Sequence, residues 1–540
     1  MINKFLNSHF FYRLNKRIPL VELYKFHKVQ NSPQKKWFQK KLVLFKRKIS
    51  LKKSDGILLV QMVADYEYTL KLAAASKVYA EKANLDIHFY NPYWMKWIGW
   101  GNRIEELYLR ILNTSLIKMY KSFGNSILFD SEVKFGNQEK IQSKFKEIRN
   151  GIHVSDDIVK IKIDGILIGD LINDTYLRFF NKPMIENLDD KELDTIIEIA
   201  LNVFYSFQEL LEKKPVKALF TTYTTYIGHG IVVRLCLERE IPVYAFGIYD
   251  DIFQKVDKEY PVQTLHYWKY DPYKDIDPEK LLEAERRFTS RFTGELDPAI
   301  AYMRQSAFQD KPIDDELRRK FSQKKRNVII YTHDLYDSPH VYRHLQFSNL
   351  YLYIKQTLEN VVMSEDTTFW VKVHPNSRTE TKDVIRDLVN SFQNDRIVLL
   401  DESVSNIQIV NLKPDLIVTA RGTIALEMAY FEIPVVALYD NPYIQFNFAH
   451  SCFDLETYYS IIRGEIEPKV DFTKEFIYRY YYQAYMENLE DVDIDIFNKL
   501  QTFKEGTYSD KYITMLKDNE SLIFSDKFIA NYKRKFDKHF

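Results

Sequence analysis

Short apolar runs alternate with longer amphipathic stretches along most of the chain, in two separate series. Runs of this length predict buried strands, and the stretches between them predict helices. The first series predicts strands at 56–63, 85–90, 161–168, 216–221 and 242–246, and helices at 66–83, 190–212 and 227–239. The second series predicts strands at 327–331, 368–373, 396–400, 415–419 and 434–438. Such alternation is typical of mainly parallel sheets covered by helices.

Two such series predict an α/β fold with two facing Rossmann-like domains. A charged stretch without a predicted strand separates them. The predicted boundaries are a basic N-terminal extension at 1–53, a first domain at 54–270, a helical connection at 271–325, a second domain at 326–471 and a helical C-terminal crossover at 472–540. Ligands of open parallel sheets bind beyond the carboxyl ends of the strands, so the site is expected in the cleft between the domains.

The composition favours a folded cytoplasmic protein. The 540 residues exceed one ordinary core, and 46% of them are apolar. Cys236 and Cys452 are too few for a disulfide framework, which favours a reducing compartment. The sequence shows no apolar run of about 18 residues and no signal-peptide pattern. It therefore predicts a cytoplasmic protein that is at most peripheral on the inner face of the membrane.

Positive charge is concentrated in residues 1–53, which hold fifteen Lys and Arg and a single acid, Glu22. Large apolar side chains are interleaved with these cations. The mixture suits docking on an anionic membrane surface or on an assembly complex, and it also suits a solvated arm with a few core contacts. The rest of the chain has no basic stripe, so nucleic acid is not an expected partner.

The most informative segment is PDLIVTARGTIALEMAYFEIPVV at 414–436. A predicted strand ends at Thr419, a turn carries Arg421 and Gly422, and a helix is expected to begin near Thr423. The glycine permits close approach of a ligand, while the helix N-terminus and the arginine both attract phosphate. The turn predicts an anion site, and the alternative is a tight connection without a ligand.

A second segment, TFWVKVHP at 368–375, ends a predicted strand with His374 and Pro375. Proline terminates the strand and leaves the imidazole at its carboxyl end, within the expected cleft. His374 is therefore predicted to bind a phosphate or to act as a catalytic acid, with a purely structural histidine as the alternative.

These two segments together resemble the donor half of bacterial capsule polysaccharide biosynthesis proteins, which are glycosyltransferases of the two-domain GT-B type. That family includes transferases for Kdo and related ulosonic acids and, more distantly, polysialyltransferases. The resemblance implies that the nucleotide phosphate of a sugar donor is held by His374, Arg421, Gly422 and Thr423. Glu427, in the same segment, is also predicted to bind the donor. The chain departs from the family pattern at Glu432, where glycine is usual, and at Arg421, where serine is common.

The loop THDLYDSPH at 332–340 also resembles this family. His333, Asp334 and His340 are predicted to bind the donor, with local turn bonding as the alternative. His340 and His344 are four residues apart, but no carboxylate pattern completes a zinc site. Neither a metal nor a cofactor is predicted.

Two carboxylates of the first series, Asp170 and Asp174, follow the predicted strand at 161–168. A base that deprotonates an acceptor hydroxyl is expected there, with Asp170 as the first choice and Asp174 as the second. Helix capping is the alternative for both. Asp65 and His229, which also follow predicted strands, are predicted to bind the acceptor, and His229 is also a reserve candidate for the base.

The residues and the resemblance together predict a glycosyltransferase that moves a sugar from a nucleotide-activated donor to a hydroxyl of a capsular polysaccharide or a lipid-linked glycan. The resemblance implies inversion and a CMP-activated ulosonic acid as the donor. Metal independence is expected because Arg421, His374 and the helix N-terminus can stabilise the leaving phosphate. The alternatives are a polyol-phosphate transferase of the teichoic-acid type and a non-catalytic scaffold of a polysaccharide assembly complex.

Overall fold

Two six-stranded sheets organise the protein. The computed structural model describes residues 32–47, 53–63, 65–91, 116–129, 138–246, 254–263, 267–294, 308, 315–323, 326–342, 344–361, 366–374, 377–401, 403–487 and 510–539. Buried apolar residues form a core on each face of each sheet. The predicted fold class, two Rossmann-like α/β domains, is confirmed.

The first domain contains eight of the described strands: β1 (Gly56–Gln61), β2 (Leu85–Tyr90), β3 (Ser126–Phe129), β4 (Lys162–Ile163), β5 (Ile166–Leu167), β6 (Val216–Thr221), β7 (Val243–Ala245) and β8 (Gln254–Lys255). The helices described up to this point are α1 (Pro33–Leu42), α2 (Tyr66–Lys82), α3 (Gln138–Asn150), α4 (Ser155–Ile158), α5 (Gly169–Phe180), α6 (Lys191–Lys213) and α7 (Ile231–Glu238). The sheet order is β3-β2-β1-β6-β7-β8, and its pairs are parallel except for the antiparallel pair of β7 and β8.

The predicted sheet strand at 161–168 is wrong. The segment folds instead into a separate antiparallel hairpin of β4 and β5. Its turn residues Asp164 and Gly165 have φ values of 49° and 85°. An Asp-Gly pair favours a two-residue turn with both φ angles positive, so the chain reverses in the middle of the apolar run.

The second sheet lies between residues 326 and 452 and has the order β11-β10-β9-β12-β13-β14, with every pair parallel. Its strands are β9 (Arg326–Tyr331), β10 (Thr367–Lys372), β11 (Ile397–Leu399), β12 (Leu416–Thr419), β13 (Val435–Leu438) and β14 (His450–Cys452). Val328 and Ile330 of β9 join the core on one face, whereas Ile329 and Tyr331 join the core on the other. Burial on both faces explains why these strands read as continuous apolar runs.

The other helices among the described residues surround this sheet or return to the first one. They are α8 (Pro278–Ser290), α9 (Asp315–Ser322), α10 (Leu350–Val361), α11 (Thr379–Ser391), α12 (Asn406–Leu412), α13 (Ile424–Tyr430), α14 (Leu455–Arg463), α15 (Lys474–Tyr485), α16 (Asp510–Asp518), α17 (Glu520–Ile523) and α18 (Asp526–His539). Phe288 of α8, Phe321 of α9 and Tyr481 of α15 share one buried core with Ile329. The helices of the predicted connection therefore pack against the second domain.

The C-terminal helices pack on the first domain. Phe536 of α18 stacks on Phe220 of β6, with ring centroids 6.0 Å apart and an interplanar angle of 8°. Phe38 and Leu42 of α1 are fully buried in the same core. The end of the predicted basic extension is thus part of the folded domain rather than a free arm.

The predicted docking of residues 1–53 on a membrane or complex falls mainly on 1–31, which lie outside the described residues. Within the described part, Val43 and Leu44 follow α1 and are about half exposed. No helix among the described residues is long and apolar enough to cross a membrane.

Glu432 follows α13 with a φ of 60°, in the left-handed region that favours glycine. Its ion pair with Lys474, 3.6 Å away, is exposed and contributes little to stability. We expect Glu432→Gly to raise the free energy of unfolding of the second domain by about 1 kcal/mol, because the strain of a side chain at positive φ is removed. The midpoint of thermal unfolding measures this effect. Glu432→Ala is the matched control, and equal stability of the two variants would contradict the expected strain.

Candidate active site

His333, His374 and Arg421 lie at the carboxyl edge of the second sheet. They follow β9, β10 and β12, which are neighbours in the strand order β10-β9-β12. The backbone N–H of Arg421 points at Nε2 of His333, at 3.5 Å. The structure therefore brings together these three predicted donor-site residues, from separate parts of the sequence.

Both imidazoles are held in the neutral form. Burial lowers the pKa of His333 to about 3, and His374 and Arg421 act in the same direction. Burial also lowers the pKa of His374, an effect that Lys372 reinforces and Asp334 opposes. Each neutral imidazole carries one N–H donor, so both can donate a hydrogen bond to an anion at neutral pH.

Arg421 is a buried cation with aromatic neighbours. Its guanidinium carbon lies 4.5 Å from the ring centre of Tyr342 and 5.2 Å from that of Tyr267. Only 9% of the residue is exposed, and its Nε atom has no hydrogen-bond partner among the described residues. No described carboxylate forms an ion pair with Arg421. Because a buried unpaired charge is costly, this arrangement is typical of a site that awaits an anionic ligand.

The turn at Gly422 is compact. The N–H of Gly422 donates to Oγ1 of Thr419 at 3.0 Å, and a Cβ atom at position 422 would lie 2.8 Å from the same oxygen. Glycine is therefore required by close packing within the turn. Since the amides of Arg421 and Gly422 both point at protein atoms, the Arg421 side chain is the main candidate for anion binding in this turn. Thr423 precedes α13 and its side chain does not cap the helix.

Glu427, which is predicted to bind the donor, contacts buried protein groups. It is 4% exposed, lies 3.5 Å from Nη1 of Arg291 and accepts a hydrogen bond from Asn406 at 3.2 Å. Arg291 in turn lies over the rings of Phe288 and Tyr481. The glutamate thus anchors the connection between the domains to the inner side of α13.

Asp334 is part of the same edge and contacts residues at the beginning of α11. Its Oδ1 accepts a hydrogen bond from Thr381 at 2.7 Å, and Arg378 lies 3.8 Å from its Oδ2. These contacts tie the loop after β9 to the beginning of α11. Asp334 therefore acts on the site through the position of the loop and through its charge near His374.

His340 and Asp174 meet across the two domains. Nδ1 of His340 lies 2.6 Å from Oδ1 of Asp174, which is on α5 and 1% exposed. Burial raises the pKa of Asp174, and His340 opposes this shift. For His340, burial lowers the pKa, but the carboxylates of Asp174 and Asp170 raise it more, so the net shift is upward. One helical turn after Asp174 on α5, Arg178 forms an ion pair with Asp337 at 2.9 Å.

Asp170, the first choice for the base, is engaged elsewhere. It lies in the first turn of α5, where both of its oxygens accept hydrogen bonds from Arg234, at 2.6 and 2.5 Å. Arg234 also donates to the carbonyl of Leu167, so the pair ties the hairpin to α7. A carboxylate held this way is suited to fixing structure, which leaves Asp174 as the carboxylate of α5 that contacts the second domain through His340.

Asp65 and His229 lie near the carboxyl ends of the first sheet. Asp65 caps α2 by accepting a hydrogen bond from the N–H of Tyr68 at 2.9 Å. His229 contacts Nε2 of Gln61 through Nδ1 at 2.5 Å, and burial lowers its pKa to about 4. His229 is partly exposed and stays a candidate for contact with an acceptor, whereas Asp65 has a capping role.

The comparisons with known proteins bear on the second domain in particular. Residues 288–440 match the family of capsule polysaccharide biosynthesis proteins. The match confirms the family resemblance that the His374 and Arg421 segments predict, and it contains both of them. No curated protein matches the chain.

Several solved structures are similar at low identity. The β-Kdo 2,4-transferase KpsC of Thermosulfurimonas dismutans is 13% identical with a TM-score of 0.32, over 50% of this chain and 80% of that one. The UDP-GlcNAc 2-epimerase of Methanocaldococcus jannaschii is 10% identical with a TM-score of 0.25, over 79% and 97%. A glycosyltransferase of Rickettsia africae is 10% identical with a TM-score of 0.24, over 88% and 100%.

The segment that matches the capsule family holds further buried polar groups, and of these only Arg421 was singled out from the sequence. Buried atoms without a described hydrogen-bond partner follow four of its strands: Oγ1 of Thr332, Oγ of Ser377, Nε of Arg421 and Oδ2 of Asp440. Asp440 has a φ of 58° two residues after β13. Burial raises the pKa of Tyr267 to about 12, with Arg421 opposing and Asp440 reinforcing the shift. Their position along the chain could have identified them from the sequence, since each of the four residues lies within five positions of the end of a strand.

No group of three or more His, Cys, Asp or Glu side chains among the described residues could hold a metal ion. The four orphaned atoms are instead suited to hydrogen bonding with an organic ligand that carries anionic and hydroxyl groups. The edge of the second sheet can thus bind a phosphate at Arg421 and polar groups on either side of it.

Proposed function

We propose that the chain is a glycosyltransferase that moves a sugar from a nucleotide-activated donor to a hydroxyl of a capsular polysaccharide or a lipid-linked glycan. The observation that carries this proposal is Arg421, a buried guanidinium without a carboxylate partner at the carboxyl edge of the second sheet. The match of residues 288–440 to the capsule biosynthesis family supports the class of product.

In this proposal the donor phosphate binds Arg421 and accepts hydrogen bonds from the neutral imidazoles of His333 and His374. Cationic and N–H groups fixed before the reaction stabilise the charge that develops as the nucleotide leaves. Arg421 supplies this charge from the protein, so we propose a metal-independent reaction without a cofactor. The resemblance to ulosonic acid transferases favours a CMP-activated ulosonic acid and inversion at the anomeric carbon.

The acceptor is proposed to enter from the first domain, on the side of α5 and His229. A lipid-linked acceptor would place the enzyme at the cytoplasmic face of the membrane. The basic residues of 1–53 would then favour an anionic surface or the other members of an assembly complex.

Thermal unfolding in the presence of CMP, CDP, UDP and GDP tests the donor site. A ligand that binds the native state at about 100 times its Kd stabilises it by about 2.7 kcal/mol. We expect one nucleotide to raise the melting temperature of the wild type, and His374→Ala to lose most of that rise. His153→Ala is the matched control, since His153 is exposed in the first domain.

The outcomes separate the alternatives. A nucleotide that binds without any turnover would favour a scaffold, and so would the absence of a shift with every nucleotide. Transfer of phosphorus into the product would favour the polyol-phosphate transferase. A shift that persists unchanged in His374→Ala would place the nucleotide elsewhere.

A further inference from the structure

We propose that His340 and Asp174 form a catalytic dyad assembled from both domains, in which Nε2 of His340 removes the proton from the acceptor hydroxyl. Asp174 is a positioning residue that holds the ring through Nδ1. This inference rests on the proposed transferase function and adds the identity of the base.

The geometry of the pair suits this division of roles. Asp174 is 1% exposed, whereas 28% of the His340 side chain is exposed. The contact of 2.6 Å uses Nδ1, so the nitrogen left for a substrate is Nε2. Asn173 also donates to Oδ1 of Asp174 at 3.1 Å, which further fixes the carboxylate. A buried carboxylate that orients an imidazole in this way stabilises the imidazolium formed on proton uptake.

His340 lies on the same loop as two residues that contact Arg421. His333, at the start of the loop after β9, contacts the backbone of Arg421, and Tyr342, near its end, stacks on the Arg421 guanidinium. His340 lies between these two anchors, two residues before Tyr342. The loop that wraps the phosphate-binding arginine therefore also presents the candidate base.

The charged groups that act on His340 come from α5 and α7. On α5, Asp174 and Asp170 favour the imidazolium, while Arg234 of α7 disfavours it. Asp170 is itself paired with Arg234, so the net influence on the ring comes mainly from Asp174. Beside the dyad, Arg178 and Asp337 neutralise each other across the same interface.

In the proposed step, proton removal accompanies transfer of the sugar. The acceptor O–H bond breaks as its proton moves to Nε2 of His340, and the acceptor oxygen forms a bond to the anomeric carbon. The bond from that carbon to the donor phosphate oxygen breaks, and its electron pair leaves with the nucleotide beside Arg421. The imidazolium, paired with Asp174, then releases its proton to water.

The pH dependence of turnover tests the dyad. The donor to use is a sugar activated with the nucleotide that raises the melting temperature, and a CMP-activated ulosonic acid is tried first. The acceptor is a glycan glycoside. Because the base must be neutral, kcat/KM of the wild type should rise with pH through the pKa of His340. We expect His340→Ala to lower kcat by about 10²- to 10⁴-fold and to remove this acidic limb. Asp174→Asn should move the limb to lower pH, because the carboxylate that raises the pKa of His340 is gone.

Two controls keep the result specific. Both variants should retain the nucleotide-induced rise in melting temperature, which separates failure of the dyad from failure of the donor site. Asp337→Asn breaks the neighbouring ion pair with Arg178 and should leave the acidic limb at the same pH. A loss below tenfold in His340→Ala, or an unchanged limb in Asp174→Asn, would overturn the dyad. Nucleotide binding by a wild type that never turns over would overturn the dyad and the transfer reaction together.

Discussion

Replacing Arg421 with alanine is expected to abolish the nucleotide-induced rise in melting temperature and to lower kcat/KM for the donor by about 10²- to 10³-fold, the loss typical of removing one group that stabilises developing charge. The guanidinium is the one cation that the turn after β12 presents, and it is held between Tyr267 and Tyr342. Arg421→Lys should recover little, because an ammonium group lacks both the planar stacking and the forked donors. Nucleotide titrations followed by thermal unfolding, together with initial rates of transfer, measure both effects.

For the protein without ligand, we expect the Arg421→Ala substitution not to lower the melting temperature. Removing a buried guanidinium that lacks a carboxylate partner should leave the melting temperature unchanged or raise it, since the desolvation cost of the charge disappears. Arg386→Ala is the matched control, because Arg386 is exposed on α11 and pairs with Asp383. Full nucleotide binding by Arg421→Ala, or a marked loss of stability without ligand, would show that Arg421 is a structural residue.

The architecture could be predicted because its strands are buried on both faces. β9, β10, β12 and β13 therefore appear as mainly apolar runs, and the helices between them carry more of the polar residues. The same rule failed at 161–168, where an equally apolar run contains Asp164 and Gly165. The turn preference of this pair outweighs the apolar run and produces a hairpin outside the main sheet.

Candidate site residues could be predicted from the sequence where their position after a strand is enough to place them at the edge of the sheet. His333, His374 and Arg421 each follow a strand directly, and parallel strands bring their carboxyl ends to one edge. Asp440 follows the same rule and was missed because no motif marks it. Residues whose role depends on a distant partner could not be read in this way. Glu427 is separated from Arg291 by 136 positions.

The roles of the two carboxylates of α5 also depend on distant partners and could not be predicted from the sequence. Asp170 and Asp174 are four positions apart and were ranked by distance from a predicted strand. Their roles are decided by Arg234 and His340, which are 64 and 166 positions away. Sequence spacing could place both carboxylates near the cleft, but only the fold separates the one held by an arginine from the one that holds a histidine.

The two candidate roles of Glu427 can be distinguished by experiment, because one predicts a loss of stability on substitution and the other predicts a loss of nucleotide binding. If it anchors Arg291, Glu427→Ala should destabilise the second domain by about 3–5 kcal/mol, since the guanidinium stays buried without its carboxylate. A donor-binding role would instead predict weaker nucleotide binding at unchanged stability. Denaturant unfolding followed by fluorescence suits this measurement, because Trp370 is buried in the same core.

The double variant Arg291→Met/Glu427→Leu sharpens the test. Replacing both charges with apolar side chains removes the unpaired ion, so most of the stability lost in Glu427→Ala should return. Glu359→Ala is the control, since the exposed pair with Lys355 at 3.9 Å should change stability by less than about 0.5 kcal/mol. Nucleotide binding should survive in all of these variants below their melting temperatures. Selective loss of binding in Glu427→Ala, with stability unchanged, would return this residue to the donor site.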